Sequence, residues 1–410
     1  MVAHRFATRY ASRGHDVGVL TTVRRGSRLV EQRKSQRKIR VFSVPTSYPK
    51  LLRPYLSLYN PAVTQAVQNV IADFRPDIVH AHNVHRYLSY HSLTLCRGAR
   101  VPVVLTLHDA MSVDYGRFVQ AYRHQPTDID EIPDYRVKLL PTVLRYHVQY
   151  CPFRNPVIRR VLRQSVDVRC VPSRAMAALL STNGIPTDEV IPNGIDPEEF
   201  AALPDRFGAD PTATNQPKAP SITVAGRLTP DKGAFQALEA VRLLRDRGID
   251  CRLVLLGGAQ GQDQHFDRRV CRLRLEDRVI YKGWLGGSDL VAAYRASSII
   301  LVPSVYLDNY PTVVLEAMAL GKPLVVTAFG GAREAVEAAG CGFVVSPFDV
   351  PRMADYLERL INQPELAQRL GLAGRRAVQG SLHIDRSVDR YLELMQSHAG
   401  HARRSQSFGT

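Results

Sequence analysis

Short runs of β-branched residues alternate along the chain with stretches whose apolar positions recur at helical spacing. The clearest case spans residues 298–327. Residues 298–302 are an apolar run of strand length. Pro303 ends it, and a loop over 304–310 carries Asp308, Asn309 and Tyr310. Pro311 suits a first helical position, where its missing N–H has no partner to lose. Val313, Val314, Ala317 and Leu320 then form an apolar stripe, Gly321 closes the helix, and 323–327 is the next strand. Strand, loop, helix and strand make half of a doubly wound sheet, in which ligands sit beyond the carboxyl ends of the strands. Asp308 falls just before the helix and Glu316 in its second turn, beside free N–H groups that suit an anion.

The same alternation orders the rest of the chain. Residues 2–12 read as a helix with Phe6 and Tyr10 on one face, stopped by Gly14. Strands are predicted at 16–22, 39–44, 77–82 and 102–110, with a helix at 61–74. A nucleotide-type fold has a strand and a glycine-rich turn ahead of its first helix. Neither stands before residue 2, so the chain is expected to begin inside its first domain, with a central strand position left empty. The strand at 102–110 delivers His108 and Asp109 to its carboxyl end. His80, His82 and His85 crowd another strand end, either as lining of an acceptor site or as structure; no Cys or acid cluster completes a metal site there. Residues 111–165 interleave aromatic and basic side chains, which fits a substrate-shaping insertion or helices with snorkelling arginines. A strand at 167–173 and a helix at 174–184 follow.

Residues 201–220 have a linker composition rich in Pro, Ala, Asp and Thr. Beyond them a strand at 222–225 runs into Arg227, then Lys232 and Gly233 at a helix start. A helix at 234–247, strands at 251–258 and 279–284, and helices within 351–377 follow. The expected organisation is an N-terminal domain over 1–200, a linker over 201–220, and a second domain over 221–382. A terminal helix over 383–398 crosses back to the first domain, and 399–410 is a disordered tail.

At 410 residues the chain is long enough for two domains, and its 45% hydrophobic and 22% charged residues are those of a globular protein. No apolar run approaches bilayer length, and the basic, polar start lacks the apolar segment of a signal peptide. Six cysteines without CxxC spacing point to reduced thiols and a cytoplasmic setting. The net charge of +16 is uneven: residues 1–50 hold twelve Lys and Arg against Asp16 and Glu31. The basic stretch 24–40 is either a solvated cationic face or a patch for an anionic membrane surface. No nucleic-acid-binding motif accompanies it.

Residues 307–327 resemble the donor-site signature of the family 4 retaining glycosyltransferases, which have the GT-B fold. In that signature a Glu is followed, after seven residues, by a second Glu and Ala-Met. Glu316, Ala317 and Met318 match, and Asp308 stands where the first Glu is usual. GRLTPDKG, residues 226–233, is similar to the segment whose Arg and Lys hold the donor pyrophosphate. PNGID at 192–196 resembles the close of the family's first domain, and FGGAREAV at 329–336 its Gly-Gly-x-x-Glu turn, with Glu334 as the acid. The resemblance implies an α/β fold of two Rossmann-like domains facing each other across a cleft. It implies a retaining, metal-independent transferase that uses a nucleoside-diphosphate sugar and no cofactor. Arg227 and Lys232 would take the diphosphate, Glu316 the ribose, and Asp308 and His108 the donor sugar. Asn309, Tyr310 and the backbone at Gly283 would line the nucleotide. The acceptor would be a glycan, glycolipid or lipid-linked saccharide, and the setting cytoplasmic, peripheral on the inner face of a membrane. Two rival readings are a non-catalytic sugar-nucleotide binder of the same fold and a sugar-nucleotide epimerase.

Overall fold

The computed structural model describes residues 2–23, 39–116, 118, 125–131, 133–202, 219–258 and 264–407. The basic residues 24–38 and most of the linker, 203–218, lie outside the described residues. The chain divides into two compact units. Residues 1–117, 135–192 and 385–410 form the first, and 118–134 with 193–384 the second. The second unit therefore begins at Asn193, before the predicted linker, and takes in a piece of the 111–165 insertion. PNGID falls mostly within it, because Ile195 bridges to His383 and Gly194 packs against the Ile384 backbone.

Among the described residues all strand pairings are parallel. In the first unit β1 (Val17–Val23) pairs with β2 (Ile39–Pro45) as a separate two-stranded sheet. A four-stranded sheet follows: β3 (Val79–His82), β4 (Val103–Thr106), β5 (Val168–Val171) and β6 (Glu189–Val190), in that order. In β4 every residue is buried, as in a strand covered on both faces. The helix Val2–Ser12 buries Phe6, Ala7 and Tyr10. Phe6 meets the edge of Tyr391 at 5.1 Å and stacks on His82 at 5.9 Å. Tyr391 lies in the terminal helix, Ile384–Ser407, which extends past residue 398, where the sequence reading ended it. Ala399, Ala402 and two arginines are good helix formers, with no proline to stop them. This helix is tied to the first unit by Arg13–Asp385 at 3.2 Å and by Ser387 Oγ donating to the Pro192 carbonyl at 2.8 Å.

The second unit carries a six-stranded sheet. Its strands are β7 (Ser221–Ala225), β8 (Arg252–Leu256), β9 (Val279–Gly283), β10 (Ile299–Val302), β11 (Leu324–Thr327) and β12 (Gly342–Val345), in the order β12-β11-β10-β7-β8-β9. Alternate residues enter opposite cores. Ile299 and Leu301 join Ile222, Leu253 and Val325 on one face; Ile300 and Val302 join Leu324, Val326 and Val314 on the other. Both faces being apolar explains the unbroken hydrophobic runs. The chain reverses direction across the sheet between β7 and β10, the switch point where a ligand crevice opens at the carboxyl ends. Sequence patterning did not assign β12, a four-residue strand that starts on a glycine with no room for a side chain: a Cβ on Gly342 would lie 2.1 Å from the Leu324 carbonyl oxygen.

Phe6 is 2% exposed and has no substitute in its aromatic cluster. Replacing it with Ala should cost about 3–5 kcal/mol. Chemical denaturation should show this as a lower midpoint at unchanged slope, and an unchanged midpoint would mean that the helix Val2–Ser12 contributes nothing to the first unit.

Candidate active site

The second unit brings two of the residues picked out in the sequence, Lys232 and Asp308, into contact. β7 ends at Ala225, and Gly226 (φ 126°) turns the chain so that Arg227 is exposed. The Arg227 side chain has no partner among the described residues. The Thr229 N–H donates to the Arg227 carbonyl and the Lys232 N–H to the Thr229 carbonyl, both at 2.9 Å, which winds 230–232 into a tight turn. Gly233 then sits at φ 76°, with a Cβ site only 1.8 Å from the Pro303 carbonyl oxygen, so only glycine lets this turn lie against the end of β10. The consequence is an ion pair. Lys232 Nζ is 2.6 Å from Asp308 Oδ2, which also accepts from Ser304 Oγ at 2.9 Å. Lys232 stands 5.1 Å from the centre of the Tyr306 ring.

Asp308 is 7% exposed, and its backbone is fixed as firmly as its side chain. Its N–H donates to the Phe329 carbonyl at 3.2 Å, and its carbonyl accepts from Gly331 N–H at 3.0 Å. Gly330 (φ 102°) would place a Cβ 2.3 Å from the Asp308 carbonyl oxygen. The Gly-Gly turn thus staples the acid loop to the start of helix Gly331–Ala339, whose first turn carries Glu334. Tyr310 follows in a left-handed conformation (φ 55°), and the Asn193 side-chain amide donates to its carbonyl at 3.2 Å. Pro311 caps the next helix, Thr312–Ala319, from outside with an extended ψ of 134°, one position before the predicted first turn. The staple at Asp308 and the turn at Tyr310 hold the chain extended up to that point.

Glu316, in the second turn of helix Thr312–Ala319 and outside its apolar stripe, is nonetheless buried, at 5% exposed. The Tyr294 hydroxyl donates to its Oε2 at 3.1 Å, and burial together with the Glu316 charge raises the Tyr294 pKa well above its usual value. Gly283 (φ 67°) ends β9, and its carbonyl accepts from Gly257 N–H at 2.6 Å. Asn309 is half-buried beside Asp308. Sequence reasoning missed Ser304, Asn193 and Tyr294. Ser304, four residues before Asp308 in the same loop, was the only one with a local signal.

His108 belongs to the first unit, beyond β4. Its Nε2 lies 2.9 Å from His82 Nδ1, and its N–H donates to Asn83 Oδ1 at 3.0 Å. His80 is bridged on both sides, with Tyr10 Oη 3.0 Å from Nδ1 and Thr106 Oγ1 2.9 Å from Nε2. Thr106 in turn donates to the Tyr391 hydroxyl, so Nε2 carries the proton toward Thr106 and Nδ1 accepts from Tyr10. Burial is the main cause that pushes His80 down to about 3 and His108 to about 4, and it holds His82 well below its usual value.

A profile described as Glycosyltransferase Family 4 matches residues 1–199, and one described as Glycosyl transferases group 1 matches 209–377. The chain belongs to family 4 of the glycosyltransferases. Members similar to it include an alpha-D-kanosaminyltransferase of Streptomyces kanamyceticus, 31% identical over 42% of this chain and 42% of that one. A D-inositol 3-phosphate glycosyltransferase of Saccharomonospora viridis is 33% identical over 51% of each. The chain spans about half the length of the curated relatives it matches. Among solved structures, a sucrose-phosphate synthase from Thermosynechococcus elongatus superposes with a TM-score of 0.72 at 22% identity, covering 96% of this chain and 92% of the other. HepE of Anabaena, solved with UDP and glucose, gives 0.59 at 19% identity over 88% and 86%. These likenesses establish the two-domain Rossmann-like architecture of the GT-B class.

Buried neutral histidines make stability depend on pH. An unfolded chain protonates His80, His85 and His108 near their ordinary value of about 6.5, whereas the folded one holds them down to about 3, 3 and 4. Below about pH 6.5 the unfolded state binds more protons, so stability is full above that value and is lost progressively as pH falls toward 4. Thermal melts between pH 7.5 and 4.5 should show a falling Tm. His80→Gln, if it folds, should flatten the slope, and an unchanged slope would contradict the assignment.

Proposed function

We propose that the chain moves a sugar from a nucleoside-diphosphate sugar to a hydroxyl group on a glycan, glycolipid or lipid-linked saccharide, with retention of anomeric configuration and without a metal. The observation that carries the reading is that Arg227, exposed and without a side-chain partner among the described residues, shares the connection after β7 with Lys232. Breaking the bond between the sugar and the diphosphate leaves negative charge on the leaving group. Guanidinium and ammonium groups stabilise that charge most where they are already in place and shielded from water. Lys232 is held by Asp308, and the start of helix Gly331–Ala339, stapled to the same loop, adds its partial positive charge. A metal would be redundant beside these groups. Glu316, steadied by Tyr294, takes the ribose hydroxyls, and Gly283, Asn309 and Tyr310 line the nucleotide. Asp308 and His108 serve the donor sugar. The complex of HepE with UDP and glucose supports a nucleotide-sugar donor for a chain of this fold.

The acceptor reading draws on the first unit. Leu139, Leu140, Leu144 and Phe153 are 60–72% exposed, although each is large and apolar. Between Asp134 and Asp167 the sequence contains seven Lys and Arg and no acid. Apolar side chains set among cations suit the surface of an anionic bilayer. Among the described residues, no helix is long and apolar enough to cross a membrane. The reading is of a cytoplasmic, membrane-peripheral enzyme of cell-envelope polysaccharide synthesis.

Arg227→Ala or Lys232→Ala should lower turnover about 10²-fold or more, while EDTA leaves the wild type active. Wild-type rates in both variants would remove the basis of the reading. Replacing Leu139, Leu140 and Leu144 with Gln should abolish flotation with phosphatidylglycerol vesicles and leave nucleoside-diphosphate binding intact; unchanged flotation would refute the membrane contact.

A further inference from the structure

The first unit holds a group of cations that the donor chemistry does not use. Beyond β3 the chain turns at Asn83, a non-glycine residue at φ 43°. Its side chain accepts from His108 N–H at 3.0 Å and donates to Asp109 Oδ2 at 3.2 Å, which fixes the loop to the carboxyl end of β4. That loop presents Arg86. Its side chain is exposed and has no partner among the described residues, and its carbonyl accepts from the Tyr48 hydroxyl at 2.5 Å. Arg53, in the short helix Arg53–Leu56, is half-buried and among the described residues its side chain reaches only the Met111 thioether, at 3.7 Å. Its Nε is buried without any hydrogen-bond partner. Arg154 lies behind them, 2% exposed. It is fully engaged by the Met111 carbonyl, by Asn155 Oδ1 at 2.9 Å and by the Tyr115 ring at 4.8 Å.

The charges in this corner do not balance. Burial, then the nearby Arg86 and Arg154, hold Arg53 below its usual pKa. Burial and the same three guanidinia push His85 down to about 3, so it stays neutral. Asp109 is the acid that faces all three, and it is already occupied by Met111 N–H at 3.0 Å, by Asn83, and by His85 Nε2 at 3.5 Å. Asp114 has Arg145 as well as Arg154 to answer it. Three arginines against one carboxylate leave an excess of two positive charges. Two of the three, Arg53 and Arg86, have donors to spare.

We propose that Arg53 and Arg86 grip a dianionic phosphate monoester at the carboxyl ends of β3 and β4, and that this phosphate belongs to the acceptor. The dianion cancels the excess charge, and each guanidinium fork matches its oxygens. That the phosphate is the acceptor's rests on the transferase reading; that a phosphate binds here does not. Its source is either a soluble sugar phosphate or a phosphorylated lipid headgroup.

The test uses the full chain carrying Arg227→Ala and Lys232→Ala, so that no donor-site binding of phosphate intervenes. Calorimetric titration with inorganic phosphate and with a hexose phosphate should show saturable binding. Adding Arg86→Gln, on the exposed side, or Arg53→Met, which keeps the packing on Met111, should weaken it about tenfold or more. Flotation with phosphatidylcholine vesicles carrying phosphatidic acid or, at equal charge, phosphatidylglycerol separates the sources. A lipid source predicts a preference for phosphatidic acid that Arg86→Gln abolishes. A soluble source predicts tight hexose phosphate binding and no such preference. Absence of phosphate binding, or affinity unchanged by both substitutions, would overturn the proposal. Failure of the wild type to bind nucleoside diphosphates would instead count against the donor reading and leave this one standing.

Discussion

One ion pair organises the second unit: Lys232 on Asp308, 2.6 Å apart and largely shielded from water. Each partner comes from a different βα connection, so the pair exists only if β7 and β10 lie side by side and both loops leave the sheet at the right height. Three glycines make that possible. Gly233 lets the Lys232 turn lie on the Pro303 carbonyl, and Gly330 and Gly331 let the next connection close onto the backbone of Asp308 and Tyr310. A buried pair with one partner removed leaves an uncompensated charge. The loops and the pair therefore stand or fall together. Arg227, left exposed beside them, is free to meet an anion.

The two units use their sheets in the same way and with different chemistry. In both, parallel strands buried on two faces end in loops that carry the polar side chains. In the second unit those loops hold a cation close to an acid. In the first they bury neutral histidines bridged by Tyr10, Thr106 and each other, and they gather arginines around Asp109. The histidines remain uncharged because water is excluded from them. They can orient and accept hydrogen bonds, but they add nothing to the cationic excess set up by Arg53, Arg86 and Arg154.

Much of this was legible in the sequence because it depends on local pattern. The strands β7, β8, β10 and β11 are short runs rich in β-branched and aliphatic residues, and the helix Pro61–Phe74 begins with Asn60 capping Ala62 and a proline in its first turn. Arg227, Lys232, Asp308 and Glu316 stand out through the resemblance of their segments to the family's donor-site motifs, and the local pattern predicts only their places after β7 and β10. What the sequence could not show is set by tertiary contact. Asn193 supports the Tyr310 carbonyl across 117 positions of chain, and Tyr294 reaches Glu316 through packing alone. β12 was missed because four residues, the first of them a glycine, carry too little periodicity. The division into units was missed at Asn193 and at 118–134 because both segments are held by single backbone and side-chain bonds, such as Leu307 N–H to the Phe118 carbonyl. The arginine cluster gave no sequence signal at all, since its members lie far apart in a chain with many arginines.

The most direct measurement of the central claim is a crystal structure of the protein with a nucleoside diphosphate. The account predicts diphosphate oxygens within about 3 Å of both the Arg227 guanidinium and Lys232 Nζ, with the ribose against Glu316. A diphosphate bound elsewhere, with Arg227 in bulk water and no phosphate oxygen on Lys232 Nζ, would contradict it.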